Sequence, residues 1–130
     1  MKLHVAVGII IKPENQILIS ERPAHTYKGG LWEFPGGKVE VGEDIYKALQ
    51  RELREELDIE VVKAEPWLKF DYDYNDRFVT LDVWKVTQFN GEPRGAEQQK
   101  ILWIPIADLN KYEFPQGNKP ICEKLLKEIF

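Results

Sequence analysis

The sequence predicts an α/β layered domain, a mixed β-sheet sandwiched between α-helices. Three observations predict it. The run from Leu3 to Lys12 is rich in Val and Ile and reads as a buried strand. Ile45, Leu49, Leu53 and Leu57 recur every four residues, the core stripe of an amphipathic helix. Phe78 to Val86 alternates as Phe78, Thr80, Asp82, Trp84 against Val79, Leu81, Val83, Lys85, the period of a strand. Strands interleaved with helices of this kind bury their apolar faces by stacking in layers.

Taken in order, Leu3–Lys12 is followed by a turn at Pro13-Glu14-Asn15 and a second strand at Ile17–Ser20, giving a hairpin. Glu21 to Gly30, with Pro23 and the pair Gly29-Gly30, is a loop. Leu31 to Phe34 is a short extended piece, and Pro35-Gly36-Gly37 is expected to break regular structure. The helix is expected over Glu43–Leu57, with Gly42 as its cap and Glu43 and Asp44 at the positive end of its dipole. Ile59–Val62 is extended, Asn90-Gly91 is a turn signal, and Ile101–Ile104 is a strand stopped by Pro105. From Lys119, Ile121, Cys122, Leu125, Leu126 and Ile129 mark a second amphipathic helix.

At 130 residues there is room for one domain, residues 1–130. An apolar fraction of 43%, with four Trp, six Phe and five Tyr, excludes a disordered chain. The net charge of −4 argues against a nucleic-acid polymer as partner, because duplex binding relies on Lys and Arg neutralising phosphates. A single cysteine, Cys122, excludes an internal disulfide and reads as a buried apolar residue of the last helix. The start, Met1-Lys2-Leu3-His4-Val5, lacks a signal-peptide pattern, and Val5–Ile11 is too short to span a membrane. The expectation is a cytoplasmic protein with no membrane partner, monomeric by default. His4 and the dispersed Trp32, Trp67, Trp84 and Trp103 read as packing residues.

The helix carries the chemistry. Glu52, Glu55 and Glu56 stand at i, i+3 and i+4, within one arc of roughly 100° that overlaps the apolar stripe. Like charges at i, i+4 cost about 0.2–0.5 kcal/mol. Acidic groups in a last turn oppose the dipole at roughly 0.3–1 kcal/mol each. Folding alone does not favour the arrangement. A hard divalent cation shared with substrate phosphates reverses the balance. Taken alone, the triplet also fits a solvated acidic face paired with Arg51 and Arg54.

The context separates the two. Gly37-Lys38-Val39-Glu40-Val41-Gly42-Glu43, then seven residues, then Arg51-Glu52-Leu53-Arg54-Glu55-Glu56-Leu57-Asp58-Ile59 resembles the Nudix box. Every fixed position matches except Asp58, which stands where that family has a glycine just past the helix. Asp tolerates the left-handed conformation expected there better than most residues. Glu33-Phe34-Pro35-Gly36-Gly37, Gly91-Glu92-Pro93-Arg94-Gly95-Ala96-Glu97 and Phe114-Pro115-Gln116-Gly117-Asn118-Lys119-Pro120 extend the likeness over nearly the whole chain. Within the superfamily they resemble the MutT group of 8-oxo-dGTP diphosphatases, and related CTP- and methyl-dCTP-directed enzymes share some of them.

The resemblance implies a Nudix fold and a Mg²⁺-dependent enzyme, with Mn²⁺ as a substitute. Water attacks a nucleoside triphosphate, at the β-phosphorus in the MutT group, and releases a nucleoside monophosphate and pyrophosphate. For 8-oxo-dGTP this keeps the oxidised base out of DNA. Carried over by position, the Gly36 carbonyl and Glu52, Glu55, Glu56 and Glu97 are the implied metal ligands, and Glu52 is a candidate general base. Arg51 and Glu43 orient the helix. Arg22, Phe34, Tyr74, Asp76, Arg77 and Asn118 are implied around the nucleotide, and Lys38 either meets a phosphate or is solvated. A carboxamide offers one acceptor and one donor. Guanine presents two acceptors, O6 and N7, on its outer edge. 8-Oxoguanine carries a hydrogen on N7, so one Asn118 carboxamide matches both groups. The other reading of Asn118 is a helix cap; Asp76 and Arg77 also read as a surface pair, and Phe34 and Tyr74 as core. Two further functions stay open: a Nudix enzyme for CTP, methyl-dCTP, diadenosine polyphosphates or sugar nucleotides, and a non-catalytic nucleotide-binding module.

Overall fold

The computed structural model describes residues 2–22 and 30–128. Seven strands form the sheet: β1 (Lys2–Lys12), β2 (Gln16–Glu21), β3 (Trp32–Glu33), β4 (Gly36–Lys38), β5 (Glu60–Asp73), β6 (Phe78–Asn90) and β7 (Ile101–Pro105). The helices are α1 (Ile45–Leu57) and α2 (Lys119–Glu128), and short 3-10 turns occupy Ile106–Lys111 and Gln116–Asn118. The strand order is β3-β2-β1-β6-β5, with β4 also pairing β1 and β7 also pairing β2. The β1–β6 pairing is parallel and the others are antiparallel, so the sheet is mixed. Among the described residues no helix is long and apolar enough to cross a membrane.

Period-2 alternation along β1 divides the core. Ala6 and Ile10 join Ala48, Leu49, Leu53 and Leu57 of α1 on one face. Val7 and Ile9 join Val79, Leu81 and Val83 of β6 and Ile121, Cys122 and Leu125 of α2 on the other. The expected sandwich is therefore present. Burying Leu49, Leu53 and Leu57 fully holds α1 to the sheet with roughly 5–9 kcal/mol of gross transfer energy.

Several boundaries differ from expectation, each for a local reason. The cap of α1 is Asp44, whose carboxylate accepts the Tyr46 and Lys47 amides at 3.1 and 3.3 Å. A side-chain acceptor satisfies amides that Gly42 cannot, so the helix starts at Ile45 and Glu43 lies outside it. Asp58 ends it at φ 58°, ψ 40°, the left-handed conformation expected at that position. Pro35-Gly36-Gly37 does not break the sheet: Gly36, Gly37 and Lys38 pair with Val7, Ala6 and Val5. The extended piece expected at Ile59–Val62 is the start of a 14-residue edge strand with register shifts, and β6 runs on to Asn90. The hairpin at Pro13–Asn15 forms with Glu14 and Asn15 at positive φ. The loop residues Pro23 and Gly29, and Ile129 of the second helical stripe, lie outside the described residues.

Cys122 is buried, and burial pushes its thiol up to about 12. His4 bonds Asp82 at 2.9 Å across β1 and β6. The four tryptophans sit at the rim of the two cores rather than inside them. Trp32 meets Tyr112 edge-on, Trp84 stacks on Tyr46, and Lys12 lies over Trp103. Trp67 donates to the Glu128 carboxylate, an exposed contact that ties β5 to α2.

Candidate active site

The acidic face of α1 is held by one guanidinium. Arg51 Nε donates to Glu43 Oε2 at 2.8 Å and its Nη2 to Glu43 Oε1 at 2.9 Å. The same Nη2 donates to the Lys38 carbonyl at 3.0 Å. This bidentate clasp fixes Glu43 and the end of β4 at Lys38 against the helix and holds the Glu43 carboxyl down to about 2, chiefly through the Arg51 hydrogen bonds. Arg51 Nη1 also approaches Glu52 at 3.3 Å and Glu55 at 3.5 Å.

The three helix glutamates have different environments. Glu55 is half exposed. Glu52 is largely covered: its carboxylate lies over the Gly37 backbone, where any Cβ would collide with it. Burial, the largest effect, raises the Glu52 pKa, and Arg51 lowers it. Glu56 is the most perturbed. Its Oε2 accepts the Gly36 N–H at 3.0 Å. Burial raises its pKa to about 9, and the charges of Glu33, Glu52 and Glu97 push in the same direction. Gly36 must be glycine, because its φ is +153° and a Cβ would strike the Ala6 carbonyl.

Glu97 arrives on the β6–β7 loop, which lies across the C-terminal end of α1. Arg94 N–H donates to the Leu57 carbonyl at 3.1 Å and Ala96 N–H to the Glu56 carbonyl at 3.0 Å. The Glu97 side chain is exposed, yet its charge raises the pKa values of Glu33, Glu52 and Glu56.

A cleft of about 290 Å³ opens beside Glu56. Arg22, Phe34, Gly36, Lys38, Tyr74, Arg77 and Asn118 all line it, so most of the residues expected around a nucleotide meet at one place. Phe34 serves as both wall and core, since it stacks on Phe114 at 5.0 Å between centroids. Tyr74 is held over the Gly117 backbone. Asn118 closes the second 3-10 turn, with its N–H on the Pro115 carbonyl at 2.9 Å. Apolar walls come from Val5, Val79 and Leu81 on one sheet face.

Two expectations change. Asp76 is exposed in the β5–β6 turn and does not line the cleft, whereas Arg77 does, so the two neighbours part. The five implied ligands do not form a ready-made cage: among the described residues no three His, Cys, Asp or Glu side chains converge on one point. Uncompensated carboxylates repel one another, and Arg51 takes up part of the charge of Glu52 and Glu55. The donor set still fits a hard cation. A buried carboxylate raised by burial and by three acidic neighbours is an environment that a divalent ion relieves. Mg²⁺ needs only one or two protein carboxylates beside water and phosphate oxygens.

Sequence reasoning missed Glu33 as a site residue. It lines the cleft, pairs with Arg22 at 3.0 Å, and is raised by burial. No local signal marked it: alternation over the two residues Trp32–Glu33 sets them on opposite faces but does not say which face holds the site.

The NUDIX domain family matches residues 6–124. The 8-oxo-dGTP diphosphatase of Escherichia coli K12 is 41% identical over 124 residues, 95% of this chain and 96% of its own. The CTP pyrophosphohydrolase of the same strain is 36% identical, covering 97% and 93%. A solved structure from a study of MutT of Aliivibrio salmonicida and Vibrio cholerae has a TM-score of 0.88 at 40% identity, covering 98% of this chain and 99% of its own. A family match that takes in the whole acidic helix, its clasp and the loop bearing Glu97 shows that the chain belongs to the NUDIX domain family.

Proposed function

We propose that the protein is a nucleoside triphosphate pyrophosphohydrolase that converts 8-oxo-dGTP to 8-oxo-dGMP and pyrophosphate, with Mg²⁺ as its metal. Nudix hydrolases are divalent-metal dependent in general. The observation that carries the reading is the single cleft joining the buried Glu56 to Asn118. One end suits an anionic polyphosphate with its cation, and the other offers a carboxamide to a base edge. Glu52, Glu55, Glu56, Glu97 and the Gly36 carbonyl are the residues that would hold the ion. When bound, it neutralises the phosphates and lowers the pKa of the attacking water.

The chain's own residues do the rest. Arg51 and Glu43 keep the α1 carboxylates in register with the Gly36-Gly37 strand. Glu52, a covered carboxylate whose pKa burial raises, is the proposed general base that takes a proton from water. Phe34 and the apolar strand residues bury the base, and Arg22 and Arg77 meet phosphate or sugar. Asn118 accepts the N7 hydrogen of 8-oxoguanine and donates to O6.

The identity to a CTP pyrophosphohydrolase over nearly the whole chain supports a second reading, a cytidine nucleotide. Pyrophosphate release from 8-oxo-dGTP and CTP with Mg²⁺ separates them. The first reading expects the higher kcat/KM on 8-oxo-dGTP and a large loss in Asn118→Ala. A preference for CTP that survives Asn118→Ala rejects it.

A further inference from the structure

Residues 91–100 join β6 to β7, and their docking on α1 has a side-chain component. The Gln99 amide Nε2 donates to the Glu56 carbonyl at 2.9 Å. Its Oε1 accepts the Glu97 backbone N–H, also at 2.9 Å. One half-buried carboxamide therefore spans the backbones of Glu97 and Glu56, two of the residues proposed to hold the ion. Asn and Gln alone combine a neutral acceptor and an NH₂ donor in one planar group, so one side chain makes both bonds. The far end of the loop is pinned separately, by Glu21 N–H on the Lys100 carbonyl at 2.9 Å.

We propose that Gln99 is a positioning residue for the acidic site, setting Glu97 against Glu56 so that both serve one polyphosphate-binding centre. The inference deepens the function proposed above and rests on Glu56 and Glu97 acting together there. A carboxylate on an exposed loop gains hydration by swinging to solvent unless the loop is tied. Ala96, the neighbour of Glu97, donates its N–H to the Glu56 carbonyl at 3.0 Å, so the backbones of Glu97 and Glu56 lie side by side. The tie on Gln99 holds that spacing before any ligand arrives.

The test compares the full-length protein with Gln99→Ala and Gln99→Glu, each alone and combined with Glu97→Gln. Gln99→Glu keeps the acceptor for Glu97 but sets a carboxylate against the Glu56 carbonyl. Three quantities are read: kcat and KM for pyrophosphate release, calorimetric Mn²⁺ affinity without nucleotide, and Tm. Each Gln99 variant is expected to lower kcat and Mn²⁺ affinity about tenfold or more, with KM and Tm little changed. In the Glu97→Gln background the same changes add nothing further, because the effect passes through Glu97. Undiminished Mn²⁺ affinity and kcat, or a full additional loss in the Glu97→Gln background, overturns the proposal. A wild-type protein that releases no pyrophosphate sinks the function reading instead, and the Mn²⁺ titrations still decide the role of Gln99.

Discussion

Replacing the titratable Glu56 with Gln is expected to change how stability depends on pH. Burial raises this carboxyl from 4.5 to about 9, so between those values the folded protein keeps a proton that the unfolded chain has lost. A group raised in this way favours the folded state fully below its unfolded pKa and loses that contribution as pH rises towards its folded pKa. Stability of the metal-free protein therefore falls with pH in that window, by at most about 1.4 kcal/mol per unit. From pH 6 to 8 the ceiling is about 3 kcal/mol, and water in the open cleft reduces it to roughly 1–3 kcal/mol. For a chain of this size that is a Tm decrease of roughly 4–10 °C. Glu56→Gln keeps an acceptor for the Gly36 N–H and has no proton to lose, so its curve lacks this component. The assay is thermal unfolding by circular dichroism at pH 6, 7 and 8 in EDTA, comparing the two slopes. Equal slopes refute the assignment of Glu56 as a buried, uncompensated carboxyl.

Other predictions follow from the same geometry. Adding Mg²⁺ or Mn²⁺ raises Tm more at pH 8 than at pH 6, because the ion binds the ionised carboxylates; saturation at ten times Kd gives about 1.4 kcal/mol, and Glu56→Gln loses most of it in the same melting assay. Arg51→Lys cannot hold Glu43 and the Lys38 carbonyl at once, so steady-state assays should show kcat down about 10–100-fold. Asp58→Gly stays within about 0.5 kcal/mol of wild type, since the exposed pair with Arg94 is worth little. Asp58→Val, β-branched at a positive φ, loses about 1–2 kcal/mol in urea unfolding.

The parts of the fold legible in the sequence are those written as periodicity. The α1 stripe, the β1 run and the β6 alternation each name a face to be buried, and each buries part of it: Leu49, Leu53 and Leu57, then Ala6, Val7, Ile9 and Ile10, then Val79, Leu81 and Val83. Partnership across the chain is not written locally. Gly36-Gly37 reads as a breaker because nothing nearby reveals that β1 will take up its backbone groups. Most of β5 is an edge strand whose Lys63, Glu65, Lys69, Asp71 and Asp73 are exposed, so its polarity conceals its structure. At the site, the α1 glutamates were legible from spacing and from the box around them. Glu33 was not, since only its fold-given place beside Arg22 and near Glu56 marks it. The bridge made by Gln99 depends on a loop conformation that no motif encodes.

In the proposed function the cleft reads the oxidised edge of guanine through Asn118. The most direct measurement is kcat/KM for pyrophosphate release from 8-oxo-dGTP and from dGTP, side by side with Mg²⁺. A site built to hydrogen-bond one edge rejects the mismatched analogue by as much as about 10⁴–10⁵. A cleft that reads this edge prefers 8-oxo-dGTP by several orders of magnitude, and comparable values on the two nucleotides contradict that reading.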